Sequence, residues 1–215
     1  MTTVGLAMEP DQPESFCSGW IYAFGLYEPR WKIERHLSSD WTQAVVMAKR
    51  KSEAVIESFG MLIARHLETV LIEELEYLII HVPAEEEHEL FRGFDRCATA
   101  ILAAAIYSHM INHPNLLLAD VLAQVKPKPR KQHQCRSDVE RAQNVKGIYA
   151  VTRSHLVSSK HVILVDDVLT SGATMRECAI VLKNAGARSV MGIALARTSR
   201  AKGISIVGDE SGLAA

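Results

Sequence analysis

From residue 41 to about residue 70 the apolar positions Val45, Val46, Val55, Ile56, Phe59, Leu62 and Ile63 recur at three- and four-residue spacings, the mark of an amphipathic helix. Gly60 is a point where that helix is expected to bend. The pattern then changes. Tyr77-Leu-Ile-Ile-His-Val-Pro83 is a continuous apolar run closed by proline, which suits a strand buried on both faces of a parallel sheet. Residues 94–113 are Ala-rich and apolar on most sides, predicting a buried helix that stops at Asn112-His-Pro-Asn115. Residues 121–125, 147–151, 161–166 and 189–196 read as further strands, with a helix over 173–186 between the last two. Residues 19–27 are rich in Trp, Tyr, Ile and Phe and also read as a strand, whereas the first fifteen are polar and suggest a loose arm. This divides the chain into an arm and edge strand, 1–40, and a main domain, 41–215. Strands alternating with helices predict an α/β fold: a parallel sheet flanked by helices, whose ligands sit at the carboxyl ends of the strands.

Composition adds limits. Half the chain is apolar, with 48% hydrophobic residues among 215, ample for a sizeable core. The 24 Lys and Arg nearly balance 25 Asp and Glu, so the whole molecule has no general attraction to nucleic acid or anionic membrane. Cys17, Cys97, Cys135 and Cys178 stand far apart, without the paired spacing of a zinc ribbon or the density of a disulfide scaffold. With no basic-then-apolar leader and no apolar stretch of the roughly 20 residues that cross a bilayer, a cytoplasmic protein without a membrane span is expected. His109 and His113 flank a helix end before Pro114 without a nearby carboxylate, a weak case for metal. Residues 126–146 are compositionally distinct, with seven Lys or Arg against two acidic residues, and are expected to form a mobile loop.

The chemistry concentrates in Val162-Ile-Leu-Val-Asp-Asp-Val-Leu-Thr-Ser-Gly-Ala-Thr-Met175. An apolar strand ends in Asp166 and Asp167, two adjacent carboxylates that need donors or a cation, and ribose hydroxyls and Mg²⁺ supply both. Gly172 permits an unusual turn, while Thr170, Ser171 and Thr174 place hydroxyls beside the free N–H groups that open the next helix. The helix dipole adds to the attraction for an anion, making a phosphate cradle. A strand ending in two acids before a capped helix also occurs without any ligand. The full run of strand, acids, hydroxyls, glycine and helix is much more demanding.

The run closely resembles the ribose-phosphate motif of type I phosphoribosyltransferases. Arg92-Gly-Phe-Asp95 resembles the Arg-Gly-Phe-Asn signature of the competence protein ComF family. His81-Val-Pro83 resembles the Pro-Val-Pro just before it, and Glu140-Arg-Ala-Gln-Asn-Val-Lys-Gly147 its Glu-Arg-x-x-Asn-Val-x-Gly stretch. The resemblance implies that Asp166 and Asp167 hold ribose hydroxyls, and Mg²⁺ indirectly, while Thr170, Ser171, Gly172, Ala173 and Thr174 hold the 5-phosphate. It places Pro83 and Ala84 towards pyrophosphate and makes residues 126–146 the loop that closes over the substrate, with Lys131, Arg136 and Arg141 as phosphate contacts. Arg141 joins Asp166 and Asp167 in the implied catalytic group; its other role, with Asn144, is a structural cap.

The chain departs from the pattern of ComF proteins in three places. Cys17 stands alone in residues 1–40, so no zinc ribbon is expected there; Glu85, Glu86, Glu87 and Glu89 occupy a stretch that is usually basic; and Asp95 replaces the family's Asn, a smaller change of the same sign. Four negative charges there would oppose pyrophosphate unless they face solvent or recruit Mg²⁺. The resemblance thus implies Mg²⁺-dependent transfer of phosphoribosyl from phosphoribosyl pyrophosphate, or another ribose-phosphate ligand, to an unknown nitrogen acceptor. The alternative is a non-catalytic sensor of a phosphoribosyl ligand or a component of DNA uptake or processing. Nucleic-acid binding through residues 126–146 is not favoured, and a homodimer or a complex with another protein stays open.

Overall fold

The structure, a computed structural model, describes residues 4–6, 21–30, 32–83, 97–130 and 134–198. The apolar run at 77 becomes β4 (Tyr77–His81), and the motif strand becomes β8 (His161–Leu169), flanked by β4 on one side and β9 (Ser189–Thr198) on the other. Seven strands form the main sheet in the order β1-β2-β9-β8-β4-β5, with β3 also on β9. Here β1 is Val4–Leu6, β2 Ile21–Ala23, β3 Leu26–Tyr27 and β5 Leu116–Leu118. Only the β1–β2 pair is antiparallel; the others in this sheet are parallel.

Side chains that alternate across a strand divide the core in two. Leu78, Ile80, Val162 and Leu164 face one cluster with Met175, Cys178 and Leu182 of α7 (Ala173–Asn184). Tyr77, Ile79, Ile163 and Val165 face the other, filled by Ile56, Phe59, Ile63 and Leu67 of α3 (Glu53–Val70) and Leu102 and Ile106 of α4 (Ala98–His109). Burying both faces explains the unbroken apolar runs, each fully buried aliphatic side chain contributing about 1.5–3 kcal/mol. Helices on both faces give the predicted α/β class and leave the carboxyl edge of β4 and β8 for a ligand.

Five expectations change in detail. The long helix over 41–70 is two: α2 (Asp40–Lys49) and α3, separated at Lys51, whose φ of 63° is left-handed. α3 is continuous through Gly60, where a Cβ would lie 2.7 Å from Ala105 Cβ, so glycine lets α4 approach closely. The opening residues include β1 rather than only a loose arm, and the strand over 19–27 is split into β2 and β3 around Phe24 and Gly25. Strands β6 (Leu122–Gln124) and β7 (Tyr149–Val151) pair antiparallel in a separate two-stranded sheet, while β5 takes the edge of the main one. Finally, the basic segment expected as a loop contains α5 (Asp138–Val145), whose N-cap Ser137 accepts the Glu140 N–H at 3.1 Å. Among the described residues the two remaining helices are α1 (Ile33–Ser38) and α6 (Ser154–Val157).

Candidate functional site

β8 runs past the acids to Leu169, so Asp166 and Asp167 stand in its last turn of pleat, and only Thr170, Ser171 and Gly172 separate it from α7. Successive strand residues turn to different sides. Asp167 Oδ2 meets Lys49 Nζ of α2 at 2.9 Å. Asp166 acts instead towards α7, where its charge helps burial to push the Cys178 thiol up. Each carboxylate also accepts the N–H of the next residue: Asp166 Oδ1 from Asp167 at 2.8 Å and Asp167 Oδ1 from Val168 at 2.5 Å.

Burial first, and then the adjacent Asp167, raise the Asp166 carboxyl to about 7, against opposing pulls from the Asp167 N–H, Lys49 and Lys128. Lys49 moves the other way from most buried amines: burial depresses it, but the neighbouring Asp167 outweighs this and its pKa is raised. The pair therefore holds one cation and one carboxyl that retains a proton near neutrality. That is an acidic site still short of positive charge or hydrogen-bond donors.

The cradle follows directly. Gly172 is the N-cap of α7 at φ 71° and ψ 7°, a conformation that costs a residue with a Cβ about 1–2 kcal/mol. Glycine has no side chain to cap the helix, so among the described residues the first-turn N–H groups are open apart from Ala173 N–H, which makes a long 3.4 Å bond to Ser171 Oγ. Arg176, one turn into α7, donates from Nη1 to the Ser171 carbonyl at 2.7 Å, and buried Thr198 on β9 reaches the Thr170 carbonyl at 3.5 Å. These contacts engage the two loop carbonyls, and the open N–H groups at a helix start suit an anion.

Thus Asp166, Asp167, Thr170, Ser171, Gly172, Ala173 and Thr174 are brought together at one sheet edge. Pro83 follows β4 beside them, since Val82 N–H donates to the Val165 carbonyl at 2.8 Å. Ala84, Lys131, the Glu85 to Glu89 run and Arg92 to Asp95 lie outside the described residues. Arg136 is exposed, with its N–H donating to Glu140 at 2.7 Å, and Arg141 Nη2 reaches the Cys135 carbonyl at 3.5 Å. Neither guanidinium contacts the two acids among the described residues. Asn144 is a structural clasp: it donates to the Arg130 carbonyl at 2.8 Å and accepts the Arg130 N–H at 2.9 Å.

Two cations were missed by sequence reasoning, Lys49 at the acids and Lys128, whose field reaches Asp166. Nothing local marks Lys49, which is simply the last residue of an amphipathic helix. Among the described residues no cluster of three or more His, Cys, Asp or Glu could hold a metal, and His109 pairs with Glu57 at 2.8 Å. No helix among them is long and apolar enough to cross a membrane.

Residues 100–206 match the family model of the phosphoribosyl transferase domain. No curated protein matches the sequence. Among solved structures the chain is similar to the glutamine phosphoribosylpyrophosphate amidotransferase of B. subtilis, with TM-score 0.39 and 19% identity over 64% of this chain and 25% of that one. It spans only about a quarter of that enzyme's length. It is also similar to a hypoxanthine phosphoribosyltransferase of Staphylococcus aureus (TM-score 0.43, 11% identity, 68% of this chain and 66% of that one). A hypothetical protein of Neisseria gonorrhoeae with bound ppGpp is similar at TM-score 0.44 and 14% identity, over 70% of this chain and 71% of that one. The matched stretch, residues 100–206, begins within α4 and includes the entire acid and phosphate loop, so this part of the chain is similar to the phosphoribosyl transferase domain.

Proposed function

We propose that this protein binds phosphoribosyl pyrophosphate and transfers its phosphoribosyl group to a nitrogen acceptor, as a ComF-like member of the type I phosphoribosyltransferases. The observation that carries the reading is the joining of an acidic strand end, with Asp166 raised to about 7, to a left-handed Gly172 at a helix mouth. Ribose hydroxyls donating to the carboxylates would supply what that pair lacks, and the free N–H groups of the α7 mouth would hold the 5-phosphate. The ComF-like part of the reading rests on Glu140 to Gly147 and on the Arg92 to Asp95 block.

In the transfer, the bond from the ribose C1 to pyrophosphate breaks as the acceptor nitrogen bonds to C1, through a transition state with oxocarbenium character. Asp166 and Asp167 orient the ribose and favour its developing positive charge. Lys128, Arg136 and Arg141 lie on the segment that would close over the leaving group and exclude water. The hard oxygen donors of Asp166 and Asp167 suit Mg²⁺ held through ribose and pyrophosphate oxygens, where the ion would neutralise leaving-group charge.

A second reading, a ligand sensor or a DNA-uptake component without turnover, is favoured by Lys49, which already gives Asp167 a fixed cation. The two separate by measuring pyrophosphate release with phosphoribosyl pyrophosphate, Mg²⁺ and a panel of nitrogen acceptors. Release abolished by Asp166→Asn with Asp167→Asn supports transfer. Tight binding without release across the panel supports the sensor.

A further inference from the structure

At the carboxyl end of β4 a second group of reactive side chains meets, separate from the acids and the loop. His81 Nδ1 lies 3.7 Å from Cys97 Sγ, and His81 Nε2 lies 3.6 Å from Asp120 Oδ1. Cys97 is the N-cap of the twelve-residue α4, so the opening N–H groups of that helix lie beside its sulfur. The Thr99 hydroxyl is 3.1 Å from Sγ and 3.0 Å from the Val82 carbonyl, and His81 Nδ1 is 3.2 Å from the same carbonyl. These partners can rearrange together. With an imidazolium at 81, Nδ1–H serves Sγ and the Val82 carbonyl, which frees the Thr99 proton to point at sulfur.

Three further features separate this cysteine from an inert one. Cys97 is half-buried, whereas Cys135 and Cys178 are buried. His81 is only 14% exposed, so its attraction for a thiolate is poorly screened, while the Asp120 carboxylate is 73% exposed and orients the ring more than it charges it. The groups acting on the pair among the described residues are His81, Cys97, Thr99, Asp120, the Val82 carbonyl and the Ala100 N–H, with Arg153 donating to the Asp120 carbonyl. Burial alone would raise the thiol, yet hydrogen bonds from His81 and Thr99 with the His81 charge outweigh it and lower its pKa. The matching change is seen in His81, which burial would depress but Cys97 raises.

We propose that Cys97 is a peroxide-reactive thiolate, held by the His81 imidazolium and oxidised to a sulfenic acid by hydrogen peroxide or an organic hydroperoxide. The thiolate attacks the distal peroxide oxygen; the S–O bond forms as the O–O bond breaks, sulfur losing two electrons and the peroxide gaining them. The departing hydroxide or alkoxide takes the His81 proton and leaves as water or alcohol. His81 sits in register with Val165, the residue before Asp166, so the oxidised sulfur would stand at the same sheet edge as the acids. The proposal does not depend on the phosphoribosyl reading.

The test follows Cys97 by peptide mass spectrometry. Iodoacetamide labelling is timed from pH 5.5 to 9.5, and dimedone labelling is measured after equimolar hydrogen peroxide. The folded wild-type protein should label at Cys97 at pH 6.5 at least tenfold faster than glutathione, and should form a dimedone adduct that Cys97→Ser lacks. His81→Gln should slow iodoacetamide labelling at pH 6.5 about tenfold while approaching the wild-type rate at pH 9.5. Asp120→Asn, at an exposed carboxylate outside the core, should shift the profile in the same direction by less, and it carries the variant test if His81→Gln does not fold. A wild-type Cys97 profile matching glutathione, or variant profiles that match wild type, would overturn the proposal.

Discussion

Replacing Gly172 by alanine adds one methyl group where the backbone is left-handed, at φ 71°. The new Cβ would lie 3.7 Å from the Arg176 guanidinium, an ordinary contact, so crowding does not set the cost. The backbone conformation costs about 1–2 kcal/mol, partly offset by about 0.4–1 kcal/mol from stiffening the unfolded chain. A net loss of about 1 kcal/mol lowers the Tm of a chain this size by about 2–4 °C. Gly147→Ala is the control: φ is 69° there, nothing lies within 4 Å of the added Cβ, and the residue is outside the phosphate loop. Both variants should melt a few degrees early by calorimetry. Only Gly172→Ala should also lose at least tenfold in affinity for ribose 5-phosphate or phosphoribosyl pyrophosphate, because relief of its strain turns the loop's N–H groups away from the phosphate. Equal ligand affinity in Gly172→Ala and wild type, with the stability loss present, would refute the assignment of this turn as the cradle.

Further outcomes follow from the charges and packing. Asp166 is raised to about 7 in the folded chain against about 4 in an unfolded one, so the native state keeps a proton that the unfolded state has released between these values. Its contribution to stability therefore falls as pH rises from about 4 to about 7. A ligand that favours the carboxylate should release about half a proton at pH 7 and almost none at pH 9, measured as calorimetric heats that vary with buffer ionisation enthalpy at pH 7 far more than at pH 9. Lys49→Met removes the partly exposed ion pair with Asp167 and should cost about 0–1 kcal/mol at pH 8, less at pH 5, with Mg²⁺ restoring part of the lost Tm. Gly60→Ala should lower Tm despite its better helix propensity, because the added Cβ meets Ala105 Cβ at 2.7 Å and the Ala105 carbonyl carbon at 3.0 Å, an overpacking cost of about 1–3 kcal/mol. A rise in Tm would show that α3 and α4 separate freely.

The sheet centre was legible because burial on both faces favours apolar runs: β4 lies within the run over 77–83, and β8 begins where the strand over 161–166 was expected but continues past the acids to Leu169. The loop was legible because its glycine, hydroxyls and acids are contiguous, so no tertiary information is needed to bring them together. What failed was non-local or very short. The apolar period runs across residues 50–52, and nothing in it announces the left-handed Lys51 that splits α2 from α3. Three-residue strands such as β5, β6 and β7 carry too little periodicity to tell a parallel edge from a separate antiparallel pair. α5 is a polar helix whose only strong local signal is Ser137 followed by Glu140, a capping pattern eclipsed by the basic composition around it. Lys49 and Lys128 reach the acids through the fold alone.

The central claim is that the strand end and helix mouth form one ribose-phosphate site. Calorimetric titration with phosphoribosyl pyrophosphate, with and without Mg²⁺, tests it most directly when wild type is compared with Asp166→Asn plus Asp167→Asn. Saturable binding to wild type, strengthened by Mg²⁺ and lost in a folded double variant, is the predicted result. Absence of heat at millimolar ligand in both, or equal binding by both, would contradict it.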